Sequence, residues 1–193
     1  RMLVPMGPVV IFAASNFPLA FSTAGGDTAS ALAGGNPVIV KAHSAHPGTS
    51  ALVGSAIMEA AQKTNMPDGV FSLLHGSGKV VGQSLISHAG VKAAGFTGSQ
   101  KAGRILFDLA NQRKEPIPFF AEMGSVNPVL LLPNSLNIKT AEMLATSITM
   151  GAGQFCTNPG LLITLENDLL EKFIIDLVSA LEKIEPGVML TEK

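Results

Sequence analysis

The sequence predicts an α/β fold, an open parallel sheet followed beyond residue 122 by the beginning of a second α/β block. Three observations support that expectation. Short apolar, β-branched runs bounded by turn residues have the pattern of strands buried on both faces. They alternate with longer segments of helical period, the order that gives right-handed βαβ crossovers. Polar and glycine-rich residues gather directly after the runs, where ligands of such sheets bind.

The first strand is expected in Gly7-Pro8-Val9-Val10-Ile11-Phe12-Ala13. Residues 21–32, rich in Ala and small side chains and closed by Gly34-Gly35, read as a helix with a glycine stop. Pro37-Val38-Ile39-Val40-Lys41 is the second strand, residues 50–63 the second helix and residues 70–74 the third strand. Residues 80–87 read as helix, 91–96 as strand, 100–111 as helix and 118–121 as strand. Beyond Asn127-Pro128 the βα theme returns, with strands at 128–132 and 161–165 and helices at 138–150 and 169–184. The boundary is placed near Met123, giving domains 1–122 and 123–193. No internal repeat or low-complexity stretch interrupts this order.

Composition narrows the classes of function. With 47% hydrophobic and 14% charged residues, the chain can build a core. A net charge of −1 and no basic stripe interleaved with aromatics argue against a nucleic-acid partner. No apolar run reaches membrane-spanning length, so no membrane partner is expected. One cysteine leaves no internal disulfide and fits a reducing, cytoplasmic setting. The absence of Trp and Tyr and the character of both ends, Arg1-Met2-Leu3 and Gly187-Val188-Met189-Leu190-Thr191-Glu192-Lys193, lead us to expect a fragment.

That one cysteine lies in Gly151-Ala152-Gly153-Gln154-Phe155-Cys156-Thr157-Asn158-Pro159-Gly160, between a helix and a strand. A structural cysteine normally packs among branched apolar side chains, whereas glycines here let the backbone approach a bound molecule. A cysteine nucleophile needs an oxyanion donor, an acceptor for what leaves and a base for the second half-reaction. Asn16, at the end of the first strand, is a candidate donor, although Asn also forms turns. Glu122 follows an apolar run, and a carboxylate in apolar surroundings suits a base that takes a proton from water; a capping or solvated Glu is the alternative. Phe96-Thr97-Gly98-Ser99-Gln100-Lys101-Ala102-Gly103 is a strand leading through glycines into a helix, an arrangement that favours phosphate without being specific for it. His43, His46, His75 and His88 lack metal-ligand spacing, so no metal is expected; they are read as surface or supporting residues.

Taken together, Asn16-Phe17-Pro18, Lys41 after a Val-rich strand, Phe96-Thr97-Gly98-Ser99, Glu122-Met123-Gly124-Ser125 and Gly153-Gln154-Phe155-Cys156-Thr157 resemble the aldehyde dehydrogenase superfamily, in order and in spacing over nearly the whole chain. The resemblance implies a Rossmann-like dinucleotide-binding core and the start of a catalytic domain. It also implies an NAD(P)-dependent oxidation of an aldehyde to an acid. Cys156 would attack, Asn16 and the Cys156 amide would hold the oxyanion, and Glu122 would activate water against the thioester. Thr97, Gly98 and Ser99 are implied on the nicotinamide and phosphate side of the cofactor and Lys41 on its adenine ribose, with Met123 among the cofactor contacts.

Residues 21–35 and 41–50, with Glu122-Met123-Gly124-Ser125-Val126-Asn127-Pro128, are most similar to the α-ketoglutaric semialdehyde (2,5-dioxovalerate) dehydrogenases; NADP-linked long-chain fatty aldehyde dehydrogenases share much of them. Ser44 stands where NAD-preferring members often carry Glu, which points to NADP, and Lys79 could pair with its 2′-phosphate. Ala14-Ser15 replaces the usual aromatic before the Asn, so a differently shaped substrate tunnel is expected. The family's downstream Glu-x-Phe-Gly-Pro segment, N-terminal portion and oligomerisation strands do not occur, while a homo-oligomer is implied for a full-length form. A truncated dinucleotide-binding module and a CoA-acylating relative are the alternatives; Glu122 argues against the latter.

Overall fold

The computed structural model describes residues 4–189. The features noted at residues 1–3 and 190–193 lie outside the described residues. Two compact units divide the chain, one running to Met123 and the other starting at Gly124.

The first unit is a five-stranded, wholly parallel sheet in the order β3-β2-β1-β4-β5. Its strands are β1 (Val9–Phe12), β2 (Val38–Lys41), β3 (Phe71–Leu74), β4 (Ala93–Thr97) and β5 (Phe119–Glu122). The helices α1 (Gly26–Ala33), α2 (Pro47–Lys63), α3 (Gln83–Ser87) and α4 (Gln100–Gln112) fall between them. Side chains alternate across a strand, and β1 shows the consequence. Val9 and Ile11 enter a core with Val38, Val40 and Phe71, against Ala31 and Leu32 of α1 and Ile57 of α2. Val10 and Phe12 enter the opposite core, with Phe96, Ile86 of α3 and Leu106 of α4. Strands buried on both faces need such continuous apolar runs, which explains the legibility of this sheet in the sequence.

Two elements depart from expectation. The segment expected as helix from residue 21 becomes helical only at Gly26. Before that the chain folds back on β1: the Ala14 N–H donates to the Phe21 carbonyl at 2.9 Å, and Ser22 and Thr23 are buried. Gly25 permits this fold, because a Cβ there would lie 2.8 Å from the Ala20 carbonyl oxygen. The helix expected at 80–87 opens instead as a wide π-turn, Gly78–Gly82, before the short α3. Ser77 caps that turn by accepting the Val80 N–H at 3.1 Å.

The second unit contains β6 (Pro128–Leu131), a short 3-10 turn at Pro133–Ser135, α5 (Ile138–Thr149), β7 (Leu161–Thr164) and α6 (Leu170–Glu182). β6 and β7 pair in parallel. Leu131, Leu136, Ala141, Leu144 and Phe173 form its core between the strand pair and the two helices. Leu130, Ile163 and Leu165 stay exposed.

Candidate active site

In the first unit the chain leaves β1 toward β2 and β3, then returns to the other side of β1 for β4 and β5. The crevice beyond β1 and β4 is thus the point where strand order reverses, the usual ligand position in an open α/β sheet. A cavity of about 600 Å³ opens there. Phe12 and Ala13 enter it from β1, Lys41 and His43 from β2, Phe96 to Ser99 from β4, and Ile105 and Leu106 from α4. Lys79 reaches it from the π-turn. The charged or titratable residues lining it are Lys41, His43 and Lys79, with no carboxylate among them.

Lys41 is the last residue of β2 and only 7% exposed, and burial holds its ammonium below the ordinary lysine range. His43 is half-buried; desolvation, then His46 and Lys41, depress its proton affinity. Its Nδ1 accepts the Ala45 N–H at 3.1 Å, so a neutral ring carries its proton on Nε2. The ring stacks on His46 with centroids 5.5 Å apart. His46 is buried in a supporting position, not at the surface: Nε2 lies 2.9 Å from the Ala14 carbonyl oxygen and Nδ1 3.2 Å from Ser50 Oγ. It ties the end of β1 to the first turns of α2. His75 and His88 are exposed.

The two glycines of 96–103 have a packing cause. A Cβ on Gly98 would sit 2.8 Å from the Phe96 ring, and one on Gly103 would sit 2.9 Å from that ring and 2.7 Å from Met123 Cγ. α4 therefore lies close to Phe96 and Met123, and Ser99 caps its first turn by accepting the Ala102 N–H at 3.3 Å. Met123, expected at the cofactor, packs into this core and is not among the cavity-lining residues. Ser44 is exposed just outside the lining set.

Glu122 closes β5 opposite Thr97 instead of following the strand, and its carbonyl accepts the Gly98 N–H at 3.0 Å. The apolar residues before it do not bury it. β5 is an edge strand, with Phe120 67% exposed and Glu122 exposed. Its charge raises the proton affinity of Asp27 in the first turn of α1, second to the effect of burial. Asn16 is half-buried after β1 and engaged by neighbouring groups. One edge of one sheet thus carries Asn16, Lys41, Thr97, Gly98, Ser99 and Glu122. His43, read from the sequence as a surface or supporting residue, lines the cavity. It lies two residues beyond Lys41, a spacing that places side chains on one side of extended chain.

In the second unit Cys156 is an exposed free thiol in the turn between α5 and β7. Gly151, Ala152 and Gly153 have φ of 62°, 54° and 72°, and a Cβ on Gly151 would collide with the Phe155 ring. Those glycines accordingly shape the turn that presents the thiol. The Cys156 carbonyl accepts from Ser125 Oγ and, at 2.6 Å, from Asn127 Nδ2.

A doubly wound parallel sheet with a cation-lined cleft at its switch point defines the Rossmann-like α/β class. Within that class the chain belongs to the aldehyde dehydrogenase family, whose profile matches residues 1–193. It is 57% identical over 98% of its length to alpha-ketoglutaric semialdehyde dehydrogenase 2 of Azospirillum brasilense, and covers 37% of that protein. It is 48% identical over 98% of its length to alpha-ketoglutaric semialdehyde dehydrogenase of Acinetobacter baylyi, and covers 36% of it. The indole-3-acetaldehyde dehydrogenase of P. syringae, solved with NAD+ and IAA, superposes with a TM-score of 0.82 at 28% identity, over 96% of this chain and 36% of that one. The chain thus spans little more than a third of the length of these two semialdehyde dehydrogenases.

Proposed function

We propose that this chain supplies the dinucleotide-binding core and the nucleophile loop of an NAD(P)-dependent aldehyde dehydrogenase, acting on 2,5-dioxopentanoate to give 2-oxoglutarate. The observation that carries this reading is Cys156: the only thiol of the chain, exposed in a glycine-shaped turn with its backbone carbonyl held by two donors. Similarity to two proteins of that semialdehyde specificity supports the substrate. A cytoplasmic setting and a homo-oligomeric full-length form belong to the same proposal.

The cavity fits a dinucleotide. Its cations suit phosphate, the Phe96, Ile105 and Leu106 side chains offer apolar wall, and α4 begins at its edge. At the end of β2, where an acid would accept from the ribose 2′-hydroxyl of NAD, stand Lys41, His43 and Ser44, a set that favours NADP. A bound NAD(P)+ supplies the hydride acceptor. The Cys156 thiolate adds to the aldehyde carbon, and the oxyanion so formed takes hydrogen bonds from the Asn16 side chain and the Cys156 amide. Loss of hydride leaves a thioester on Cys156. Glu122 takes a proton from water, whose oxygen attacks the thioester carbon and frees acid and thiol.

Stopped-flow mixing with NADP+ and 2,5-dioxopentanoate should give a burst of NADPH. Cys156→Ala should abolish it while dinucleotide binding persists. Glu122→Gln should keep the burst and slow turnover by about 10²–10⁴-fold, with acyl-protein accumulating. An undiminished burst in the Cys156 variant ends the proposal. Binding without any burst in the parent protein leaves a dinucleotide-binding module.

A further inference from the structure

The polar network around the nucleophile loop is directed at the Cys156 backbone. Asn127 Nδ2 lies 2.6 Å from the Cys156 carbonyl oxygen and 2.9 Å from that of Asn158. The amide nitrogen carries two hydrogens, and these two acceptors use both. Because both partners are carbonyls, the nitrogen end must face them. Ser125 donates its hydroxyl to the same Cys156 oxygen. Asn158 passes the restraint on, with its Nδ2 2.8 Å from the Ile148 carbonyl, one of those left open where α5 ends. The Gly160 N–H donates to the Val126 carbonyl at 2.8 Å. Residues 125–127 therefore hold the cysteine turn at Cys156 and along its C-terminal side, at Asn158 and Gly160. Asn127 itself has φ of 49°, a left-handed conformation that Asn tolerates better than most residues.

This clamp acts on the C-terminal half of the turn, whose N-terminal half is tied by the Gly153 N–H to the Thr149 carbonyl at 3.2 Å and the Gln154 N–H to that of Gly151 at 3.1 Å. Three consecutive residues of positive φ precede that C-terminal half and Cys156 is exposed. Among the described residues no acceptor is found for the Cys156 N–H, while its carbonyl has two donors. Fixing the carbonyl restricts ψ of Cys156 and so the attitude of its sulfur and amide. We propose that Asn127, assisted by Ser125, is a positioning residue that holds Cys156 in the one orientation productive for attack on a carbonyl. This rests on the reading of Cys156 as nucleophile. The clamp acts through the backbone and touches no reacting atom, so its loss should lower the acylation rate and leave substrate binding nearly intact. Misplacing a reacting group by about 1 Å costs on the order of 10²-fold.

The test uses Asn127→Ala, Asn127→Asp and Ser125→Gly, with thermal melts to establish folding. Asn127→Ala should slow the NADPH burst about 10–100-fold, with KM for the aldehyde and Kd for NADP+ little changed. Ser125→Gly should slow it less, and it carries the test if Asn127→Ala does not fold. Asn127→Asp should match or exceed the alanine loss at pH 8 and recover relative to it as pH falls, because a protonated carboxyl regains one donor. Amide exchange in residues 151–160 should quicken in Asn127→Ala while that of the first unit stays the same. An unchanged burst in a folded Asn127→Ala overturns the proposal; so does a parallel loss of binding, or an Asn127→Asp deficit indifferent to pH. A parent protein with no burst refutes the nucleophile reading instead, and amide exchange still decides whether the clamp exists.

Discussion

The two units solve the same folding problem to different degrees. In the first, α1 and α2 cover one face of the sheet and α3 and α4 the other, so Val10, Val38, Val40 and Ile86 are fully buried. In the second, helices cover a two-stranded sheet on one side, leaving Leu130, Leu161 and Ile163 exposed. The cavity is lined wholly by residues of the first unit, whose sheet has a core on each face. The second presents a single reactive group and steadies it with backbone hydrogen bonds. Packing shapes the cavity of the first unit, while side-chain hydrogen bonds to the backbone hold the cysteine turn of the second.

The largest expected effect separates the two cores. Ile86→Ala removes a side chain with no exposed surface and should cost about 2–5 kcal/mol in the first unit, read as a lowered denaturation midpoint. Leu130→Ala on the uncovered face, 73% exposed, should shift the melt little. Equal losses from both would show that the second sheet is covered in solution.

A smaller, opposed pair of effects is expected at Lys41. Burial lowers its proton affinity in the fold below that in the unfolded chain, so the ammonium is a stability cost at neutral pH. Lys41→Met should therefore melt higher than the parent, with a gain that shrinks as alkaline pH neutralises the lysine. The same change should weaken NADP+ about tenfold in calorimetry, about 1.4 kcal/mol. Tighter NADP+ binding in the variant would remove Lys41 from the cofactor site.

The smallest effect concerns Asp27, whose proton affinity is raised by burial and then by Glu122. Its ionised form costs stability above that raised value, and the cost fades as pH falls through it. Attraction to the N-terminus of α1 offsets a part. Asp27→Asn should raise the melting midpoint slightly at pH 7–8 and lose that advantage on acidification. An advantage that grows in acid would reverse the sign assigned to this carboxylate.

Much of this was legible in one dimension. Every strand is a short, largely apolar run, Lys41, Thr97 and Glu122 stand out as polar residues closing such runs, and Ser99 follows β4 as the cap of α4. The late start of α1 was not legible, because it depends on Phe21 bonding back to Ala14, and no local propensity encodes that contact. At His43 the spacing from Lys41 hints at its side of the strand end, but the stacking on His46, itself bonded to β1's end and to α2, is set by the fold. The packing of Met123 was not legible either, because the missing Cβ of Gly103 leaves the space its side chain takes against α4, and that approach is set by the fold.

The sequence by itself determined the α/β class, the order of its elements and the chemistry at their ends, because periodicity and turn residues act over a few positions at a time. Tertiary structure alone decided which of those ends enclose a cavity, which glycines serve packing and which amide holds the cysteine turn. Asn127 and Cys156 lie 29 positions apart, and a hydrogen bond over that separation exists only once β6 and β7 have paired.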